Sequence, residues 1–389
     1  MRKSLVALLP VLAALFAPPA LAAEACVPPG QWRLPGRADV APTPLARMAE
    51  RPVVLLGENH AAAEHHRWQA QTLAALHAAN SNLVIAFEMF PRRLQPVLDA
   101  WVRGGMTEKE FLERVEWDKV WRFDADLYLP LFHFARMNRL PMVAMNVDQE
   151  TVRAVRQQGW GKVPPERREG VGEPAPASEA YRDRLHDVFT HHGKDDKQAP
   201  PKDSEDFGRF VGAQLLWDRA MAEAIAKVRR GGGEPLVVGI VGQGHLEYGH
   251  GIPHQLAALG IPDAAVLLPW DGNRECADLA DGSGTPVATA VFGVASIEEN
   301  EAEAPRPRLG VMIEAGEGGV KVGKVVPGSV AEAAGIKADD VIVQAAGFPV
   351  ARPEDLIAVV RRQAPGTWLP LVLRRGKETL DLIGRFPPS

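Results

Sequence analysis

At 389 residues the chain exceeds the ~100–200 residues of one ordinary domain and predicts two. With 46% hydrophobic and 24% charged residues, its composition is that of a globular protein. A formal net charge of −5 without a concentrated basic face excludes a nucleic-acid binder, because phosphate neutralisation needs clustered Lys and Arg.

Arg2 and Lys3 precede an apolar run over 5–16 and then Pro18-Pro19-Ala20-Leu21-Ala22. This pattern predicts a signal peptide over 1–22, with cleavage after Ala22 and a destination in the periplasm or cell envelope. The run is too short to span a bilayer, and no later stretch reaches the ~20 apolar residues a membrane helix needs. Cys26 is an alternative lipid-anchor position, although Ala23-Glu24-Ala25 departs from the usual lipobox. Cys276 is the other cysteine. An oxidising compartment permits a Cys26–Cys276 bridge, which the sequence leaves open.

From 40 to 275 apolar strands alternate with helices. Strands are expected over 52–57, 82–87, 141–146, 235–241 and 264–268, and helices over 61–79, 94–103, 107–114, 127–138, 149–157, 207–230 and 254–259. Strands apolar on both sides and separated by helices define the fold class as α/β, with a largely parallel sheet flanked by helices. Between 161 and 206 the composition turns polar and Pro-rich, which reads as a surface insertion with one short helix over 178–191 or as a mobile lid. Residues 296–307 are acidic and Pro-containing, as an interdomain linker is.

Ionisable residues follow the strands. The first runs into Gly57-Glu58-Asn59-His60, the second into Glu88-Met89-Phe90-Pro91, and the fourth into Gly242-Gln243-Gly244-His245. In an open parallel sheet the carboxyl ends share one edge where ligands bind, so these groups are expected to meet. His60, His245, Glu58 and Glu88 suit a divalent metal such as Zn, Mn or Fe, and in a hydrolase Glu58 and Glu88 are the catalytic candidates. His65 and His66 read as exposed helix residues. Tyr248 lies in the Gly-rich turn after His245, and a phenolate or imidazole can ligate haem iron.

The pair of G-x-x-H motifs at Gly57–His60 and Gly242–His245, Phe87-Glu88-Met89, and Trp117-Asp118, Trp121, Tyr128 and Pro141–Asn146 together resemble the ChaN-like family of the haem-binding-uptake and Tiki superfamily over about residues 45–270. The ChaN-like branch implies an exported haem-binding protein of iron acquisition, with an axial tyrosine and a histidine at the pocket and a homodimer sharing haems. Tyr248, His245 and, in reserve, Tyr128 are the haem-binding candidates. The Tiki branch implies a metal-dependent protease, whose pattern Glu58, His60, Glu88 and His245 match by position.

From 308 to 386 short alternating strands, Pro327-Gly328-Ser329 and a helix over 353–363 resemble a small α+β PDZ domain like those appended to periplasmic serine proteases. The resemblance implies strand addition of a protein or peptide C-terminal tail, with Leu309, Gly310, Val311, Ile313, Leu356 and Val360 forming the peptide site. No G-x-S-x-G elbow accompanies it.

Overall fold

The computed structural model describes residues 25–36, 40–41, 44–191, 201–272, 274–295 and 307–387. The expected signal peptide and nearly all of the expected linker lie outside them. The chain divides into two compact units, one up to residue 297 and one from 298.

The first unit is built on an eight-stranded sheet, comprising β1 (Trp32–Arg33), β2 (Val40–Ala41), β3 (Val53–Glu58), β4 (Leu83–Pro91), β5 (Met142–Asn146), β6 (Leu236–Gly242), β7 (Ala264–Asp271) and β8 (Ala290–Val294), in the order β2-β1-β8-β7-β3-β6-β4-β5. The run from β8 to β5 is parallel, and only β1 and β2 at one margin are antiparallel. Successive residues feed opposite faces. Val54 and Leu56 of β3 enter one apolar cluster with Ile85 and Phe87, whereas Val53 and Leu55 enter the other with Val237 and Val241. Both faces are covered, the first by an aromatic group around Phe87, Phe90, Trp101, Phe111 and Phe132.

Several expectations change. β4 runs on to Pro91, so Glu88 lies within the strand rather than after it. The sheet needs β8, which carries the unit past the expected limit at 275. The polar segment over 161–206 is not merely superficial. Val163 and Val171 pack into a small core against Val155 and Leu216, and Tyr181 and Leu185 of the helix Glu179–His191 pack against Phe207 and Val211. Cys26 and Cys276, whose pairing the sequence left open, form a disulfide across 250 residues. Among the described residues no helix is long and apolar enough to cross a membrane.

The second unit is an antiparallel sheet of β9 (Val311–Gly316), β10 (Gly319–Val325), β11 (Val341–Ala345), β12 (Phe348–Pro349), β13 (Trp368–Arg375) and β14 (Glu378–Arg385), ordered β14-β13-β11-β10-β9 with β12 beside β11. The helix Pro353–Arg361 sends Leu356 and Val360 into its core with Leu309. β9 pairs on one side only, with β10, and β14 ends the other margin beside β13, so these two strands carry the outer edges of the sheet.

Candidate functional site

Parallel pairing places Glu58, the last residue of β3, beside Gly242, the last of β6, and β4 brings Glu88 along the other side of β6. The Gly242 amide donates to Glu88 Oε2 at 2.6 Å. A Cβ on Gly242 would lie 3.0 Å from His60 Nε2 and 3.4 Å from Glu88 Oε2, so only glycine lets both groups crowd over this strand end.

Glu58 is the buried hub. His60 Nδ1 lies 2.8 Å from its Oε1, the Tyr128 hydroxyl donates to the same oxygen at 2.8 Å, and His66 Nδ1 lies 3.5 Å from Oε2. Burial pushes the Glu58 carboxyl up, but the His60 hydrogen bond and the charges of His66 and His60 outweigh it and hold the group below its ordinary value. Tyr128 is fully buried, and that burial together with the Glu58 charge raises its phenol far above the usual range. His60 is the open member of this group. Its ring packs against Trp121 and Phe123 with centroids 4.7 and 5.0 Å away, and its Nε2 makes no hydrogen bond among the described residues.

His245 belongs to a second chain of contacts. Its Nε2 lies 3.5 Å from Glu88 Oε1, and its Nδ1 lies 2.6 Å from Asp218 Oδ1 on the long helix Glu205–Arg230. The Tyr181 hydroxyl donates to Asp218 Oδ2 at 2.8 Å. Burial alone would lower the His245 pKa, but the charge and hydrogen bond of Asp218, with the Glu88 charge, push it up to about 9. The structure therefore gathers Glu58, His60, Glu88 and His245 at one sheet edge and adds Asp218 and Tyr181. Asp218 carried one sequence signal, an acid on the same helical stripe as the buried Val211, Met221 and Ile225. Tyr181 carried none beyond the scarcity of tyrosine.

Two expectations fail for related reasons. His65 and His66 are buried, because the helix Ala63–Ala79 starts directly after the β3 loop and its first turn hydrogen-bonds that loop. Asn59 N donates to His65 Nδ1 at 2.9 Å, and His66 Nε2 lies 3.1 Å from the His60 carbonyl. Nor do the imidazoles and carboxylates form a metal cage. Among the described residues no three His, Cys, Asp or Glu side chains are grouped to hold a metal ion. His60 is instead engaged by Glu58, and His245 by Asp218.

Tyr248 sits apart from Glu58 in its contacts. It is half-buried and held at φ +59° in the turn after His245, and its hydroxyl donates to the Asp278 carbonyl at 3.3 Å. The Arg184 guanidinium lies 5.3 Å from the centre of its ring. A side-chain-bearing residue in the left-handed region is uncommon and is often tied to function. A cavity of about 600 Å³ opens at the ends of β4 and β5 and is lined by Arg93, Glu116, Asp148 and Arg153, but not by Glu58, His60, Glu88 or His245.

In the second unit Leu309 is buried, and Val311 and Ile313 of β9 pack partly buried on the same core as Leu356 and Val360. Gly310, at φ +81°, lies so close to Ser329 that an added Cβ would fall 2.2 Å from its Cβ. Leu309, Val311, Ile313, Leu356 and Val360 thus belong to one apolar core fed by β9 and the helix Pro353–Arg361.

A doubly covered parallel sheet with ionisable groups at its carboxyl edge, followed by an antiparallel β module with an open edge strand, defines an α/β protein with a small second β domain. The chain belongs to the ChaN family of the haem-binding uptake, Tiki superfamily, whose profile matches residues 45–256, and residues 307–383 match the PDZ domain. Among solved structures it is similar to ChaN of Campylobacter jejuni, described with cofacial haem binding. The two are 17% identical over 67% of this chain and 95% of that one, with a TM-score of 0.51. It is also similar to the HtrA3 PDZ domain bound to a phage-derived ligand, at 25% identity over 21% of this chain and 84% of that one, with a TM-score of 0.19. A serine endoprotease from Yersinia pestis is 26% identical over 22% of this chain and 29% of that one, with a TM-score of 0.20. No curated protein matches the chain.

Proposed function

We propose that this is an exported haem-binding protein of iron acquisition, that Tyr248 supplies the iron ligand, and that the PDZ domain takes protein C-terminal tails. The observation that carries the haem site is the setting of Tyr248. It is a half-buried phenol on a left-handed turn, with a single long side-chain hydrogen bond among the described residues and a guanidinium over its ring. By comparison, Tyr128 is fully buried with its proton committed to Glu58, and both His245 nitrogens face carboxylates. Haem when bound would supply a ferric centre for an oxygen donor, and the chain's part is to hold the phenol still. Export is supported by the N-terminal pattern and by a disulfide, which persists in oxidising compartments.

Haemin titration of the purified protein tests this. A Soret band that shifts on binding, is weakened at least tenfold by Tyr248→Phe and is kept by His245→Gln supports it. No Soret change in the unaltered protein ends it. A second reading places the iron on His60, whose Nε2 has no hydrogen-bond partner among the described residues while its Nδ1 is oriented by Glu58, as a carboxylate commonly orients a ligating histidine. In that case His60→Ala, not Tyr248→Phe, abolishes the band.

A further inference from the structure

Next to Tyr248 two arginines converge on one carboxylate. Arg184 comes from the helix Glu179–His191 and Arg274 from the loop after β7, and both form ion pairs with Glu247, which is 3% exposed. Glu247 Oε2 takes Arg184, and Arg274 Nη2 stands 3.4 Å from Oε1. Among the described residues, no other carboxylate forms an ion pair with either guanidinium. Asp271 is turned toward His65 Nε2 at 3.1 Å, and Asp278 meets Tyr248 through its backbone carbonyl. Arg274 Nη1 is buried without a hydrogen-bond partner among the described residues, and its guanidinium carbon lies 4.1 Å from the centre of the Trp270 ring. A buried guanidinium N–H with nothing to donate to is costly and marks a place for an absent acceptor. Arginine's planar fork matches a carboxylate in two parallel hydrogen bonds. Burial lowers the affinity of both guanidiniums for their protons; at Arg184 Tyr248 opposes this and the charge of Arg274 adds to it, and at Arg274 Asp278, Tyr248 and Asp271 oppose it.

We infer that Arg184 and Arg274 form a carboxylate-binding site on the flank of Tyr248, taking the propionates of a bound haem. This rests on the haem reading above and deepens it. Tyr248 and the two arginines are brought together by three separate segments, the turn after β6, the insertion helix and the loop after β7. The insertion over 161–206 then contributes a binding residue rather than a mere cover.

The test compares haemin with haemin dimethyl ester, in which both propionates are masked, on the full chain. The unaltered protein is expected to bind haemin at least tenfold more tightly than the ester, and the Arg184→Gln/Arg274→Gln double variant is expected to lose that preference. Equal binding of haemin and ester by the unaltered protein overturns the inference while leaving the haem reading intact. So does an undiminished preference in the double variant. If the Gln variant fails to fold, Arg184→Lys/Arg274→Lys keeps the charges without the fork, and a preference reduced severalfold supports the site while an unchanged one overturns it. If neither tetrapyrrole binds, the haem reading has failed, and succinate then decides for the site itself. Succinate-induced shifts of the Arg184 and Arg274 Nε resonances in the unaltered protein support a carboxylate site, and their absence overturns it.

Discussion

The Tyr181 hydroxyl and the Asp218 carboxylate meet at 2.8 Å beneath His245, so a residue of the polar insertion reaches the sheet-edge site through one intermediary. Asp218 is fully buried, and a buried carboxylate is tolerated only when it is paired and hydrogen-bonded.

The first prediction concerns pH. The folded His245 pKa of about 9 exceeds the ~6.5 of an unfolded histidine, so this proton stabilises the fold fully below ~6.5. The contribution falls away as pH rises through 9. Urea unfolding of the full chain is expected to give a midpoint that declines between pH 7 and pH 10. Asp218→Asn should flatten that decline and lower the His245 pKa read by NMR. An unchanged pKa in the variant would refute the assignment.

Tyr128→Phe removes the hydroxyl that donates to buried Glu58 and should cost about 1–3 kcal/mol, the usual penalty for leaving a buried acceptor short of a donor. Because Tyr128 is assigned to structure rather than to iron, haemin binding by the refolded variant is expected to stay within about twofold. A lost Soret band would reassign it.

Reduction of Cys26–Cys276 should destabilise the first unit by up to about 5 kcal/mol, since the bridge closes a loop of 250 residues in the unfolded chain. Thermal melts with and without reductant measure it, with a Cys26→Ser/Cys276→Ser variant as the control that should no longer respond to reductant. A melting temperature indifferent to reductant in the native chain would contradict the bridge.

The PDZ unit carries its own acid-labile contact. Arg375 grips buried Asp340 with two hydrogen bonds, Nε to Oδ1 at 2.7 Å and Nη2 to Oδ2 at 2.8 Å, and Lys337 N adds a third at 2.8 Å. Burial raises the carboxyl, but Arg375 and the Lys337 amide more than compensate and bring its pKa below the ordinary value. Stability from this pair is therefore present above ~3.9 and is lost as pH falls through the lower folded pKa. Hydrogen exchange of β11 and β13 should accelerate in that acid range, and Asp340→Asn should show the faster exchange already at neutral pH.

The central strands were legible because their apolar runs admit no other role. The motifs at Glu58, Glu88 and His245 were legible because strand ends of a parallel sheet share an edge. Burial of His65 and His66 was not, since a helix face is chosen by what packs on it, and here the β3 loop claims both rings. Asp218 and Tyr181 meet only after the helices Glu179–His191 and Glu205–Arg230 pack together, an event with no local spacing to announce it. β1 and β2 span two residues each, too short for any periodicity to register. The arginines around Glu247 come from segments that no motif joins.

Val53 lies beside Val237 in the middle of the sheet, so the central pairing joins segments from opposite ends of the first unit. Topologies dominated by such distant neighbours assemble slowly, because loop closure must precede any reward from contact. β6 must dock before Gly242 can receive His60 and Glu88, and the partly assembled chain leaves apolar strand edges bare meanwhile. The sheet-edge cluster of His60 and Glu88 around Gly242 can therefore close only once this long-range pairing has formed.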